Sequence, residues 1–261
     1  MKGTEEMRIF CISWPKAGTH LLLELAKSIL PEGPWVEDKD IKYTSEGDEL
    51  FFQKVSERIS KYGDNFAIKG HIPWSESIES FLLSNDFKIL FIVRDPRDVI
   101  CSTYRWLTDL RKNWECSKFL AEFSPEIQLE YIIKGMPLLY PFDNDAGVIW
   151  DAPLPVRYSK LTPWFYSAGA IAFTYEKLSG NLGQDTQKKE VVRALSFLKI
   201  DPKETTCRVL QSLYNPNSAT FHSGKVGNWV DYFSDHHKKL FVELAGEELI
   251  EMLGYEATQP K

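Results

Sequence analysis

Residues 8–30 read RIFCISWPKAGTHLLLELAKSIL, a candidate strand, a tight turn and a candidate helix in succession. Arg8–Ser13 is a short apolar run rich in β-branched and aromatic side chains, as expected of a strand buried on both faces. Thr19–Leu30 has the helical pattern that follows it. Working outward, three more runs have the strand character: Phe66–Lys69 (FAIK), Lys88–Val93 (KILFIV) and Ala170–Thr174 (AIAFT). Further helical patterns cover Asp95–Arg111, Gln184–Leu198 and Ser234–Leu253. Strand, turn, helix, strand is the grammar of βαβ units. It predicts an α/β fold, a central parallel sheet flanked by helices on both faces, in a single domain over residues 1–261.

The stretch from about 112 to 165 breaks this grammar. Its YPFDNDAGVIWDAPLPVRYSKLTPWF, residues 140–165, is rich in aromatics, Pro and Asp. Helices and a long irregular excursion over the carboxyl edge of the sheet are expected here. Ligands of open α/β sheets bind at that edge, so the excursion is a candidate lid or substrate wall.

Composition narrows the function. With 261 residues, 43% of them hydrophobic, the chain suits one large globular domain and excludes wholesale disorder. Lys and Arg number 31 against 37 Asp and Glu, a net charge of -6. That balance argues against nucleic acid as a partner and requires any anionic ligand to be held by a local cationic pocket. Cys11, Cys101, Cys116 and Cys207 form no CxxC pair and read as reduced thiols of a cytoplasmic chain, without a metal site. No signal peptide and no membrane span is expected from the apolar runs.

Three strand ends carry chemistry. Ser13-Trp14-Pro15-Lys16-Ala17-Gly18-Thr19-His20 joins the first strand to its helix. A helix N-terminus offers unpaired N–H groups and partial positive charge, Gly18 permits close backbone approach, and Lys16 and Thr19 add a cation and a hydroxyl. The lysine precedes the glycine, so the turn is not GxxxxGK[ST]. The alternative is an ordinary turn with Thr19 as the helix cap. Arg94-Asp95-Pro96-Arg97-Asp98 follows KILFIV. There Pro96 suits a first helical turn, Asp95 its cap, and Arg94 a bidentate phosphate contact with Ser102 two turns on; otherwise Arg94 pairs structurally with Asp95 or Asp98. Finally, Lys69 and His71 share one face of the strand FAIKGH, and an imidazole is a natural acceptor of a hydroxyl proton; a structural histidine is the other reading.

These motifs resemble the cytosolic-type sulfotransferases that use 3′-phosphoadenosine 5′-phosphosulfate (PAPS). WPKAGTHLL resembles the 5′-phosphosulfate loop YPKSGTTW, RDPRDVICSTY the 3′-phosphate segment RNPKDVAVSYY, and FAIKGHIPW the Lys-x-His element. TYEKL is similar to FYEDL, FHSGKVGNWVDYF to RKGxxGDWKNHF, and Leu253-Gly254-Tyr255 also fits. The matches run in family order from residue 10 to 255. The resemblance implies a P-loop-like α/β enzyme that sulfonates a hydroxyl or amine of a small molecule, as in secondary metabolism. PAPS would be co-substrate, adenosine 3′,5′-bisphosphate (PAP) the product, and no metal would take part. It places Lys16 at the bridging and sulfonyl region and the amides of Ala17, Gly18, Thr19 and His20 around the 5′-phosphate. Arg94 and Ser102 go to the 3′-phosphate, Tyr175 beside the nucleotide, and Phe221, His222, Ser223 and Gly224 over it. His71 becomes the general base, assisted by Lys69.

Departures stand beside the matches. The tryptophan that stacks on adenine is Leu21 here, with Tyr214 or Trp14 as substitutes; two loop hydroxyls are lost at Ala17 and His20; and the late-loop Arg-Lys pair is His222-Ser223, with Lys225 as a replacement cation. The family's dimer stretch reads Val230–Lys239 with altered ends, so monomer and homodimer both stay open. Tyr104, Trp106, Trp114, Tyr140, Phe142, Trp150, Trp164 and Phe165 form either an aromatic acceptor wall or lid packing. Asp143, Asp145 and Asp151 among them suggest a cationic, alkaloid-like acceptor, or a solvated acidic loop. Two rivals have other requirements: a P-loop kinase would need GK[ST] and a magnesium-binding acid, and a non-catalytic nucleotide-binding protein would have no use for His71.

Overall fold

A computed structural model describes residues 7–30, 41–42, 48–135, 152–213 and 225–256. The strands are β1 (Arg8–Ser13), β2 (Ile41–Lys42), β3 (Phe66–His71), β4 (Phe87–Val93) and β5 (Ala170–Thr174). The helices are α1 (Thr19–Ile29), α2 (Asp48–Tyr62), α3 (Glu76–Ser84), α4 (Pro96–Arg105), α5 (Glu115–Ala121), α6 (Pro125–Lys134) and α7 (Leu154–Ser159). They continue with α8 (Pro163–Tyr166), α9 (Tyr175–Leu178), α10 (Gln184–Phe197), α11 (Pro202–Leu213), α12 (Trp229–Tyr232), α13 (Asp235–Glu243) and α14 (Gly246–Met252). Two compact units divide the chain: Met1–Val93 with Pro163–Gly224, and Arg94–Thr162 with Lys225–Lys261.

The first unit holds a sheet of order β2-β3-β1-β4-β5, parallel in every pairing. Strand residues alternate between faces, and both faces are apolar. Ile9, Cys11, Ala67, Leu90, Ile92 and Phe173 join one core with Leu22 and Leu25 of α1, Val191 and Leu195 of α10 and Val209 of α11. On the other face Phe10 packs against Phe51 and Phe87, and Phe66 meets Phe87 edge to face. The strand order reverses at β1, so the turn after β1 lies at the switch point where such sheets bind ligands. The expected α/β architecture is therefore the observed one.

The second unit is helical. Asp95 caps α4 by accepting the Arg97 N–H at 2.9 Å, and Pro96 occupies its first turn, as the sequence predicts. The helix expected over Asp95–Arg111 changes at Trp106 into a π-helical turn, Trp106–Leu110. The single helix expected over Ser234–Leu253 is two, because Ala245 takes a left-handed φ of 66°. There Gly246 lies so close to Phe241 that an added Cβ would stand 2.4 Å from its ring. The described part of 112–162 folds as α5, α6 and α7.

Candidate functional site

The turn between β1 and α1 is shaped by two left-handed residues, Lys16 at φ 69° and Gly18 at φ 114°, and closed by the Ala17 N–H donating to Trp14 O at 3.0 Å. Gly18, not Thr19, is the N-cap of α1, and no side-chain cap and no acidic residue occupies this end of the helix. No carboxylate of the helix's own first turn opposes its positive end. Only glycine fits at position 18, because a Cβ there would lie 2.8 Å from the Tyr175 ring and 3.1 Å from Ile92. Tyr175, directly after β5, therefore lies against the turn's closest-approach point. Leu21, half-buried, packs on the core beneath α1.

Thr19 is therefore not the cap that the alternative reading expects. Its hydroxyl meets Ser13 Oγ at 2.6 Å in a buried contact. The main-chain oxygen of the same Ser13 accepts from His71 Nδ1 at 2.7 Å. A carbonyl only accepts, so Nδ1 carries the hydrogen and Nε2 is the proton-accepting atom of the neutral ring. The β1–β3 register sets Cys11 beside Lys69, and His71 follows two residues on, so both side chains share the face on which α1 packs. Trp164, wholly buried, donates Nε1–H to Ile72 O at 2.9 Å and fixes the chain just past His71. Burial pushes the Cys11 thiol up to about 12, with Lys69 opposing, so Cys11 stays a thiol and offers no nucleophile.

In the second unit Arg94 is 8% exposed. Its Nη2 donates to Lys225 O at 2.9 Å and stands 3.8 Å from Asp98. Asp98 in turn accepts the N–H of Gly227 at 2.8 Å and of Trp229 at 3.1 Å. Burial lifts the Asp98 carboxyl above its ordinary value, against the pull of Arg94 and these donors. Asp95 is instead held by Arg97, whose Nη2 donates to it at 2.7 Å and whose guanidinium lies 4.1 Å over the Trp229 ring. The structural pairing of Arg94 with Asp98 is thus present. Ser102 lies on α4, half-buried.

Turn, Lys69, His71 and Tyr175 belong to the first unit, Arg94 and Ser102 to the second. Phe221, His222, Ser223, Gly224 and Tyr214 lie outside the described residues, as do Tyr140, Phe142, Asp143, Asp145, Trp150 and Asp151. Of the expected aromatic wall, Trp164 is core, and Trp106 and Trp114 pack edge to face at 4.8 Å with Arg111 over both rings. Sequence reasoning gave Ser13 no role of its own, because a main-chain carbonyl serving a residue 58 positions away leaves no side-chain signal.

Residues 6–132 match the family model described as the sulfotransferase domain. The 3-beta-hydroxysteroid sulfotransferase of Cavia porcellus is 27% identical, over 94% of this chain and 83% of that protein. Sulfotransferase 2A1 of Mus musculus is 24% identical, over 94% of this chain and 85% of its own. Among solved structures, mouse sulfotransferase SULT7A1 complexed with PAP superposes with a TM-score of 0.66 at 22% identity, covering 95% of this chain and 86% of that one. At that identity the superposition speaks for the fold.

Proposed function

We propose that the chain, whose residues 6–132 match the sulfotransferase-domain model, is a sulfotransferase whose donor is PAPS and whose acceptor is a hydroxyl or amine of a small molecule. One observation carries the reading: Ser13 holds the anion-binding turn through its hydroxyl and the candidate base through its carbonyl. Proton acceptor and anion cradle are thereby fixed to one residue.

The residues suit such a donor. The turn at Gly18 presents bare backbone at a helix N-terminus, the arrangement that phosphate-type anions require. When bound, PAPS supplies the activated sulfuryl group. In this proposal the amides of Ala17, Gly18, Thr19 and His20 bind its 5′-phosphate and Lys16 meets the charge that grows on the leaving oxygen. Tyr175 flanks the nucleotide, Arg94 and Ser102 hold the 3′-phosphate, and the family resemblance adds Phe221, His222, Ser223 and Gly224 to the residues that bind it. His71 Nε2 takes the proton of the acceptor hydroxyl, worth about 10²–10⁴-fold, and Lys69 stabilises charge beside it. The chain is proposed to serve as a single sulfotransferase-like domain over residues 1–261. We place the protein in the cytoplasm and assign it neither nucleic-acid nor membrane partners.

A thermal-shift comparison of PAP, ATP and NADH tests the donor. PAP at 100 times its dissociation constant adds about 2.7 kcal/mol of stability. A larger shift with ATP and magnesium would replace the reading with a phosphotransferase. Asp143, Asp145 and Asp151 motivate a cationic, alkaloid-like acceptor. Faster sulfonation of neutral phenols than of cationic hydroxylated alkaloids would reject it.

A further inference from the structure

Arg94 stands where two regular elements leave main-chain groups over. The β4 ladder ends at Val93, paired with Thr174. The first carbonyl used within α4 is that of Asp95, which accepts from Val99 N at 3.0 Å. The N–H and C=O of Arg94 therefore fall between strand and helix, in a residue 8% exposed, where unmet polar groups are costly. A single hydroxyl meets both. Tyr158 O–H donates to Arg94 O at 2.9 Å and accepts from Arg94 N–H at 3.1 Å. A phenol has the one donor and the acceptor capacity this requires. Tyr158 is itself 1% exposed on α7, and its own carbonyl is taken by Thr162 Oγ1 at 3.1 Å and by the Leu161 N–H at 3.0 Å. The phenol therefore sits in a fixed frame.

We infer that Tyr158 is a positioning residue for Arg94, its hydroxyl fixing the backbone from which the guanidinium reads the 3′-phosphate of the nucleotide. The inference rests on the proposed role of Arg94 in binding that phosphate. It gives α7, part of the stretch that the sequence suggests as substrate wall, a task on the nucleotide side: the two residues are 64 positions apart and share no motif. Discrimination follows, because Arg94 acts on the 3′-phosphate alone. Loss of the hydroxyl weakens a 3′,5′-bisphosphate while leaving a 5′-monophosphate untouched.

The test is a double-mutant cycle read by calorimetric titration with PAP and with adenosine 5′-monophosphate. Tyr158→Phe keeps the ring and removes the oxygen. It is expected to weaken PAP five- to twentyfold, to change the monophosphate less than twofold, and to have no further effect on PAP in an Arg94→Ala background. Equal weakening of both nucleotides, or undiminished weakening in the Arg94→Ala background, overturns the inference and leaves Tyr158 a purely structural residue. An Arg94→Ala variant that binds PAP as tightly as wild type removes the underlying role of Arg94 and the inference with it. Should Tyr158→Phe fail to fold, Tyr158→His, whose ring nitrogen can donate or accept but cannot do both as the hydroxyl does, goes through the same cycle with the same criteria.

Discussion

Replacing Gly18 by alanine tests the anion turn directly. A side chain at φ 114° sits outside the regions open to L-residues, at a cost of about 1–3 kcal/mol. The new methyl would also stand 2.8 Å from Tyr175 Cδ2 and 3.1 Å from Ile92 Cδ1, both inside contact distance. Ile92 is wholly buried, so relief must come from Tyr175 or from the turn, adding about 1–3 kcal/mol of overpacking. The sum is about 2–6 kcal/mol, and at roughly 2 °C per kcal/mol for a chain of this size the melting temperature falls by about 4 °C or more. Any shift of the turn also moves the amides proposed to bind the 5′-phosphate, and PAP binding is expected to weaken at least about tenfold, or 1.4 kcal/mol. Scanning calorimetry and PAP titration of Gly18→Ala, Tyr175→Ala and the double variant measure these parts. With Tyr175 truncated, the contact at 2.8 Å is gone, and the penalty of Gly18→Ala should shrink by about 1 kcal/mol while the backbone cost stays. A Gly18→Ala protein within 1 °C and twofold of wild type would refute the reasoning, and strict additivity of the two substitutions would refute its steric half.

His71→Asn retains an N–H able to donate to the Ser13 carbonyl but has no counterpart of Nε2. Turnover is expected to fall about 10²–10⁴-fold with PAP affinity unchanged in titration, and a variant keeping a tenth of the rate would remove His71 as the base. Ser13→Ala loses the hydroxyl contact with Thr19 and keeps the carbonyl, so PAP affinity should drop while the acid–base step in single-turnover assays does not. Asp98→Ala strands the N–H groups of Gly227 and Trp229 and the Arg94 charge, costing about 3–5 kcal/mol in denaturant unfolding. The raised Asp98 value means that the folded state binds this proton more tightly than the unfolded chain. Its contribution is then most favourable below the ordinary value of 3.8 and declines as pH rises toward the folded value; Asp98→Asn should flatten that slope in unfolding curves taken across the window.

The sequence by itself determined the frame. Short apolar runs at Arg8–Ser13, Phe66–Lys69, Lys88–Val93 and Ala170–Thr174 marked four of the five described strands and their burial on both faces, because side-chain character and burial are read from local sequence. Asp95-Pro96 likewise announced the start of α4 through groups that act within one turn. The two-residue β2 carries too little pattern to be seen, and the break at Ala245 depends on how Gly246 meets Phe241. Tertiary structure alone decided which atoms support the chemistry. Ser13 O reaches His71 because β1 and β3 lie in parallel register, and Tyr158 reaches Arg94 across 64 residues. Both links end on main-chain groups, which every residue carries alike. No residue type marks them in a sequence, and only the folded register brings them within a hydrogen bond.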